Sequence, residues 1–362
     1  MRLRLKIPQG VDWSLVFIPI FLSIFGIVLI YTITYGNENN IALDQLIFTG
    51  VGLTIGLFLT FLDYRIFKSL AWPLYGIGLL LLLIVLFFGS TTFGATRWID
   101  LGFYRLQPSE LFKFISLIVI AKYLSDLTEI NFKNLMFLVF IIALPLLLIL
   151  KQPDLGTASV IFIGLIALLI ISPLKKIYLI AALGLAIVLS PLGWHFLKPY
   201  QKHRIEVFLN PSSDLQGEGY NVNQAKIAVG SGGLLGRGLG KGSQSQLNFL
   251  PVAHTDFIFA GTAEATGFVG SFLLILLLVI MIYRAINVAK EARDSFGTYL
   301  AAGIGAVFLF QTLVNVGMNM GIMPVTGIPL PFVSYGGSAM LTNFVFIGIL
   351  QSIYLRHKKI KF

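Results

Sequence analysis

His254-Thr255-Asp256, followed without a break by FIFAGTAEATGFVGSFLLILLLVIMI over 257–282, sets the fold class of this chain. Upstream, from Trp194 to Thr255, lies its only large hydrophilic segment. Downstream, the apolar run exceeds the ~20 residues that a helix needs to cross a bilayer. A carboxylate at such a junction sits beside lipid and still reaches water. Hydrocarbon makes an idle charge costly, so an acidic residue at the end of a membrane helix is a functional candidate by default. Asp256 is therefore the lead residue. Its alternative role is structural, because Asp ahead of an apolar run also serves as an N-cap.

The same character extends over all 362 residues, of which 57% are hydrophobic and 12% charged, with mean hydropathy +0.88. Soluble domains carry about 25% charged residues, so this composition belongs to an integral membrane protein. The apolar runs are continuous rather than alternating, which selects helices over a β-barrel. Ten of them are centred near residues 24, 52, 79, 116, 142, 163, 184, 270, 309 and 344. The first is too long for a signal peptide and lacks a small-residue cleavage site, so it is expected to remain in the protein. No cysteine is present, which removes disulfides, thiolate metal sites and cysteine nucleophiles. The four histidines (His195, His203, His254, His357) form no ligand-spaced pair on one helix, which argues against a histidine zinc or iron site.

The net charge of +10 follows topology. With the N-terminus inside, the cytoplasmic turns and helix ends carry Arg2, Arg4, Lys6, Arg65, Lys68, Lys122, Lys133, Lys175 and Lys176. Further along, the same side carries Arg284, Lys290, Arg293, Arg356, Lys358, Lys359 and Lys361, whereas the short loops near 36–42 and 321–334 hold no Lys or Arg. That is the positive-inside pattern. It reports orientation and contact with anionic lipid rather than nucleic-acid binding. The expected architecture is an all-α polytopic membrane protein of one domain (1–362), with ten transmembrane helices and both termini cytoplasmic. One large extracellular loop, about 194–256, precedes the eighth helix. Inside it, YNVNQAKIAVGSGGLLG (220–236) keeps apolar residues at helical spacing, which predicts an amphipathic helix and then a glycine-rich turn on the outer surface. GSTTFGATRWIDLGFYRLQPSEL (89–111) reads as a folded re-entrant or interfacial segment.

Several polar residues are candidates for chemistry. Pro108 suits the first turn of a helix, and Glu110 and Lys113 then share one of its faces. Such a pair lines a cavity, or simply neutralises itself at depth. Arg97 and Arg105 are suited to holding a phosphate, Arg105 equally to anchoring at the interface. Asp154 in KQPDLGT is either a second carboxylate of the site or a helix cap. Lys198, Lys202, His203 and Arg204 form a basic cluster on the side that the positive-inside pattern leaves poor in cations, as an anionic head group would require. GSGGLLGRGLGKGS (230–243) fails as a nucleotide loop, because Leu235 stands where the first glycine belongs and Gly242 follows the lysine. GIPLPFVSYGGSAML (327–341) brings Ser334 and broken backbone to the mouth of the last helix. His254 and Thr255 adjoin Asp256 itself.

GATRWI (94–99), QPSELFK (107–113), KQPDLGT (151–157), HTDFIFA (254–260) and PLPFVSYGGS (329–338), in this order, resemble the SEDS family of bacterial cell-wall proteins over nearly the whole chain. MGIMPVTGIPLPFVSYGGSAM (320–340) resembles its cell-elongation branch more than its division branch. The resemblance implies a peptidoglycan glycan polymerase in the bacterial plasma membrane, acting at the outer face on lipid II. An undecaprenyl-diphosphate-linked glycan would donate its anomeric carbon to the GlcNAc 4-hydroxyl of an incoming lipid II. By the same resemblance the catalytic aspartate falls on Asp256 and the family's Glu–Lys pair on Glu110 and Lys113. The base would work directly or with a bound divalent cation, Mg or Mn. Cations such as Arg97, Lys113 or Arg204 would stabilise the leaving diphosphate. Lys202, Arg204, His254, Thr255 and Ser334, with Arg97, Glu110, Lys113 and Asp154, make up the expected substrate-binding set. A class B penicillin-binding protein transpeptidase is the implied partner. The family commonly has two adjacent acidic residues after HTDFIFA, whereas here Glu264 is followed by Ala265. A lipid II flippase and a scaffold for the transpeptidase are the competing functions; charged candidates gathered at one end of the helices favour the enzyme.

Overall fold

The computed structural model describes residues 10–357, apart from 36–39, 93–94, 103, 128–130, 179, 181–183, 185–194, 196, 212–213, 215–216 and 248. Before the hydrophilic segment run α1 (Trp13–Ile33), α2 (Ile41–Phe61), α3 (Arg65–Phe88), α4 (Pro108–Asp126), α5 (Phe132–Lys151) and α6 (Leu155–Ile171). Inside that segment lie α7 (Pro199–Leu209), α8 (Glu218–Ser231) and the short α9 (Ser243–Gln246). After it come α10 (Ile258–Glu291), α11 (Ser295–Asn319) and α12 (Gly337–Leu355). Among the described residues seven helices are long and apolar enough to cross a membrane: α1, α2, α3, α5, α10, α11 and α12. The protein is thus a polytopic helical membrane protein. α6 is apolar but shorter, and α4 is enclosed by α3, α5, α6, α11 and α12. The expected span around residue 184 falls largely outside the described residues.

Lipid supplies no hydrophobic drive between helices, so close backbone approach does the work. α2 lies against α12 in this way: a β-carbon on Gly56 would meet Phe344 O at 2.9 Å, and one on Gly348 would meet Gly56 O at 2.5 Å. The basic end of the bundle is tied by buried polar groups instead. Asp12 caps α1 through Ser14 N (3.0 Å) and pairs with Arg284 of α10 at 2.5 Å. Its backbone exchanges two hydrogen bonds with the Gln351 side chain of α12, at 3.2 and 2.6 Å. Nearby, Asp294 caps α11 through Gly297 N (2.8 Å) and accepts from the Tyr64 hydroxyl (2.7 Å) and Arg65 (3.1 Å).

The expected folded segment before α4 carries a small antiparallel sheet: β1 (Ser90–Thr92), β2 (Ala95–Asp100) and β3 (Arg105–Leu106), in the order β1-β2-β3. Thr, Trp and Ile favour extended backbone, and glycines punctuate it. At the β2–β3 turn Gly102 takes φ +84° and donates its N–H to the Asp100 carboxylate at 2.9 Å.

α10 is broken at Gly267 (φ +67°). In a continuous helix Phe268 N would bond Glu264 O, and Val269 N would bond Ala265 O. Here Phe268 N and Val269 N donate to Gly233 O (2.8 Å) and Leu234 O (3.1 Å), while Glu264 O and Ala265 O accept from Arg237 N (2.9 Å) and Gly238 N (3.0 Å). The glycine-rich turn after α8 is therefore a backbone insert that supplies all four groups the break leaves unpaired. Contact is too close for a side chain at the seam, since a β-carbon on Gly236 would sit 2.3 Å from Ala265 O. The glycine-rich turn that fails as a nucleotide loop thus packs into a helix.

Glu264, fully buried in the first half of α10, fastens the end of the same insert. Its carboxylate accepts from Gln244 N (2.8 Å), Ser245 N (3.0 Å) and the Ser245 hydroxyl (2.8 Å). Those amides open α9, where a carboxylate suits the free N–H groups. Gln246 then reaches the Thr32 carbonyl of α1 at 2.8 Å.

Candidate functional site

Asp256 stands two residues ahead of α10, at the end of the bundle that carries the hydrophilic segment. It does not cap that helix. The N-cap residue is Phe257, without a side-chain cap, and the first-turn amide of Ala260 donates instead to Asn319 Oδ1 of α11 at 2.9 Å. Two asparagines one helical turn apart hold the neighbouring backbone: Asn315 and Asn319 donate to the Asp256 carbonyl at 3.1 and 3.0 Å. Asn315 also donates to Ile328 O (2.8 Å) and Asn319 to Asn315 O (2.8 Å). With capping done from another helix, the Asp256 carboxylate has no hydrogen bond and no ion pair among the described residues. These asparagines are missing from the sequence-derived set, although two amides at i and i+4 near the end of an apolar span were a visible signal.

His254 and Thr255 are pinned through their backbones by the segment before α12. The Ser334 hydroxyl donates to Thr255 O (2.7 Å) and accepts from Leu330 N (2.9 Å), and Tyr335 N donates to His254 O (2.9 Å). Ser334 thus positions the HTD turn. The His254 ring lies edge-on to Tyr335, and burial lowers its pKa, which favours the neutral imidazole. Gly327, at φ +70°, faces the carboxylate: a β-carbon there would lie 3.5 Å from Asp256 Oδ2.

Part of Asp256 remains accessible, yet burial pushes its carboxyl up to about 6. Arg204 and then Arg97 oppose the rise and Glu218 adds to it, so these three charges share the field around Asp256. Arg204 on α7 donates to Glu218 at the start of α8 at 3.0 Å, and the two line a small pocket with Val207, Val222, Met323 and Val325. Arg97 on β2 donates to the Gln152 and Pro153 carbonyls and stands 4.0 Å from Asp154.

The other expected residues divide between the site and its frame. Asp154 caps α6 through Thr157 N (3.2 Å) and accepts from Ser109 (2.8 Å) and Gln107 (3.0 Å), which ties the starts of α4 and α6 together. Glu110 and Lys113 form a buried ion pair at 2.5 Å inside α4. Arg105 turns to Asp100 at 3.4 Å on the exposed hairpin, and His203 to Asp214 at 3.1 Å. Lys202 lies on α7, two residues from Arg204. Among the described residues no three acidic or histidine side chains converge on a metal position, and Glu218 is already paired with Arg204. These side chains alone therefore form no complete cage, and a Mg or Mn would be held by Asp256 together with the phosphates of a substrate.

A family model described as "Cell cycle protein", covering FtsW, RodA and SpoVE, matches residues 12–359. The peptidoglycan glycosyltransferase MrdB of Escherichia coli K12 is 40% identical over 310 residues, 85% of this chain and 84% of its own. A probable peptidoglycan glycosyltransferase FtsW of Trichlorobacter lovleyi is 36% identical, covering 94% of this chain and 92% of its own. A solved structure described as the structural coordination of polymerization and crosslinking by a peptidoglycan synthase complex superimposes with TM-score 0.84 at 30% identity, over 96% of this chain and 99% of that one. The crystal structure of Thermus thermophilus RodA gives 0.73 at 28% identity, over 96% and 97%.

Proposed function

The chain belongs to the FtsW, RodA and SpoVE family of cell cycle proteins, and from that premise we propose that Asp256 is the general base of glycan polymerisation. The activity itself is that of a peptidoglycan glycosyltransferase, as in its MrdB and FtsW relatives. One observation carries the reading: a carboxylate without a partner among the described residues, raised to about 6, in the field of two arginines. Above that value the carboxylate is ionised and takes a proton; an ordinary surface aspartate is a weaker base by about two units.

The sugar 4-hydroxyl of lipid II gives its proton to Asp256 as its oxygen attacks the anomeric carbon of the lipid-linked glycan. The bond to the undecaprenyl diphosphate breaks, and Arg97 and Arg204 take up the developing negative charge. Both substrates are anchored by polyprenyl tails, which suits a base at the end of a membrane helix. Asn315, Asn319, Ser334 and Tyr335 hold the turn, so the carboxylate needs no rearrangement at the moment of transfer. Lys113 and Glu110 lie buried below, where the pair gives α4 a charged face toward the bundle. In this reading the site faces outward from the bacterial plasma membrane, ten helices cross it, both termini are cytoplasmic, and a class B penicillin-binding protein docks alongside. The role is the RodA one, in cell elongation.

Polymer formation from purified lipid II by the full-length protein with its transpeptidase, wild type against Asp256→Asn, tests this. Loss of a base costs about 10²–10⁴ in rate, so the variant should fold and make almost no polymer. Equal polymer from a folded variant would remove Asp256 as base and return the flippase and scaffold functions to consideration.

A further inference from the structure

The insert that repairs α10 also carries two exposed leucines, Leu234 and Leu235, at 73% and 80% exposure. Their depth follows from α1 and α10, which run antiparallel in contact. At one end Arg284 pairs with Asp12; at the other, a β-carbon on Gly261 would lie 3.1 Å from the side chain of Ile33. α1 has 21 residues, so it is about 31 Å long, close to the ~30 Å hydrocarbon core. Exposed Trp13 at one end and Tyr31 and Tyr35 at the other mark its two interfaces. Gly267 lies six residues beyond Gly261, or about 9 Å deeper along the helix. Leu234 is hydrogen-bonded at that level, through Val269 N.

We infer that the glycine turn 232–236 re-enters the bilayer leaflet on the loop side and that Leu234 and Leu235 contact lipid acyl chains. The lipid-facing side of α10 continues into the leucines: Phe268 is 64% exposed, Val269 46% and Phe272 54%. Non-helical backbone at this depth is tolerated only where protein satisfies it, and the four hydrogen bonds to the break do so. On the returning limb Arg237 and Lys241 are exposed, and neither forms an ion pair among the described residues. Both sit where basic side chains reach lipid phosphates. The turn on the outer surface expected from sequence is thereby placed within the membrane, and the loop that shapes the site is fixed to the surface from which lipid-borne sugars arrive. This placement rests on packing alone and is independent of the chemistry at Asp256.

The chain has no cysteine, so a single one can be labelled cleanly. Leu235→Cys carrying a nitroxide would be measured in lipid nanodiscs for collision with oxygen and with a water-soluble nickel chelate. Phe268→Cys provides the lipid reference and Glu206→Cys, on exposed α7, the aqueous one. The label at 235 should match 268, with an oxygen-to-nickel ratio several-fold above that at 206. Nickel collision equal to that at 206 would overturn the inference. So would shielding from both probes, which would mean that a second copy rather than lipid covers the leucines. An unchanged melting temperature of each labelled variant establishes that the turn is in place.

Discussion

Asp256 and Glu264 are eight residues apart on the same stretch, and their surroundings are opposite. Glu264 is fully buried and accepts three hydrogen bonds from the start of α9. Asp256 keeps an accessible edge, has no such partner among the described residues, and is raised to about 6. The first carboxylate is consumed by structure; the second is kept available because Asn319 caps α10 in its place. Partner inventory, rather than burial or position at a helix end, separates the consumed carboxylate from the available one.

The largest effect on stability should come from the anchor. Glu264→Ala leaves two amides and a hydroxyl unpaired, at a cost of about 3 kcal/mol, and should lower the melting temperature in detergent and the polymer yield together. A variant that melts like wild type would end the distinction. Removing the raised carboxylate should act with the opposite sign. Because Asp256 prefers its protonated form in the folded state, the folded protein bears a cost that is absent below the ordinary value near 3.8 and grows as pH rises through 6. Asp256→Asn should therefore gain roughly 1–2 kcal/mol at pH 7.5, with the gain gone below pH 4. A melting series against pH checks this, and a loss at pH 7.5 would contradict it. The smallest effect sharpens the electrostatics. Arg204 holds the Asp256 value down and Glu218 pushes it up. Arg204→Gln removes the first and frees the second, so the acidic limb of the polymerisation rate should move from about pH 6 toward neutrality. A limb that stays in place would detach Arg204 from the field at Asp256.

Much of this was legible in the residues. Continuous apolar runs placed the described membrane helices, and the junction at 254–256 singled out Asp256. Asp154 was left between reagent and cap; the hydrogen bonds to Thr157, Ser109 and Gln107 make it a cap and tie. What stayed hidden depends on distant partners. Asn315 and Asn319 sit within QTLVNVGMN, where hydropathy averages them away, and their targets lie 59 and 63 residues upstream. The break at Gly267 has no local proline to announce it, because its cause is the insert from 232–238. The sheet at 90–106 contains strands of three, six and two residues, too short for alternation to register.

The link between Asp12, Arg284 and Gln351 has a consequence in time. Asp12 caps α1, and its two partners follow 272 and 339 residues later. At the ~5–20 residues per second of synthesis, the Asp12 carboxylate waits roughly fifteen seconds to a minute for Arg284, and its backbone a little longer for Gln351. Through that interval α1 is oriented by its hydropathy and flanking charges, and the polar tie to α10 and α12 follows. The tie joining α1 to α10 and α12 is thus made late in synthesis.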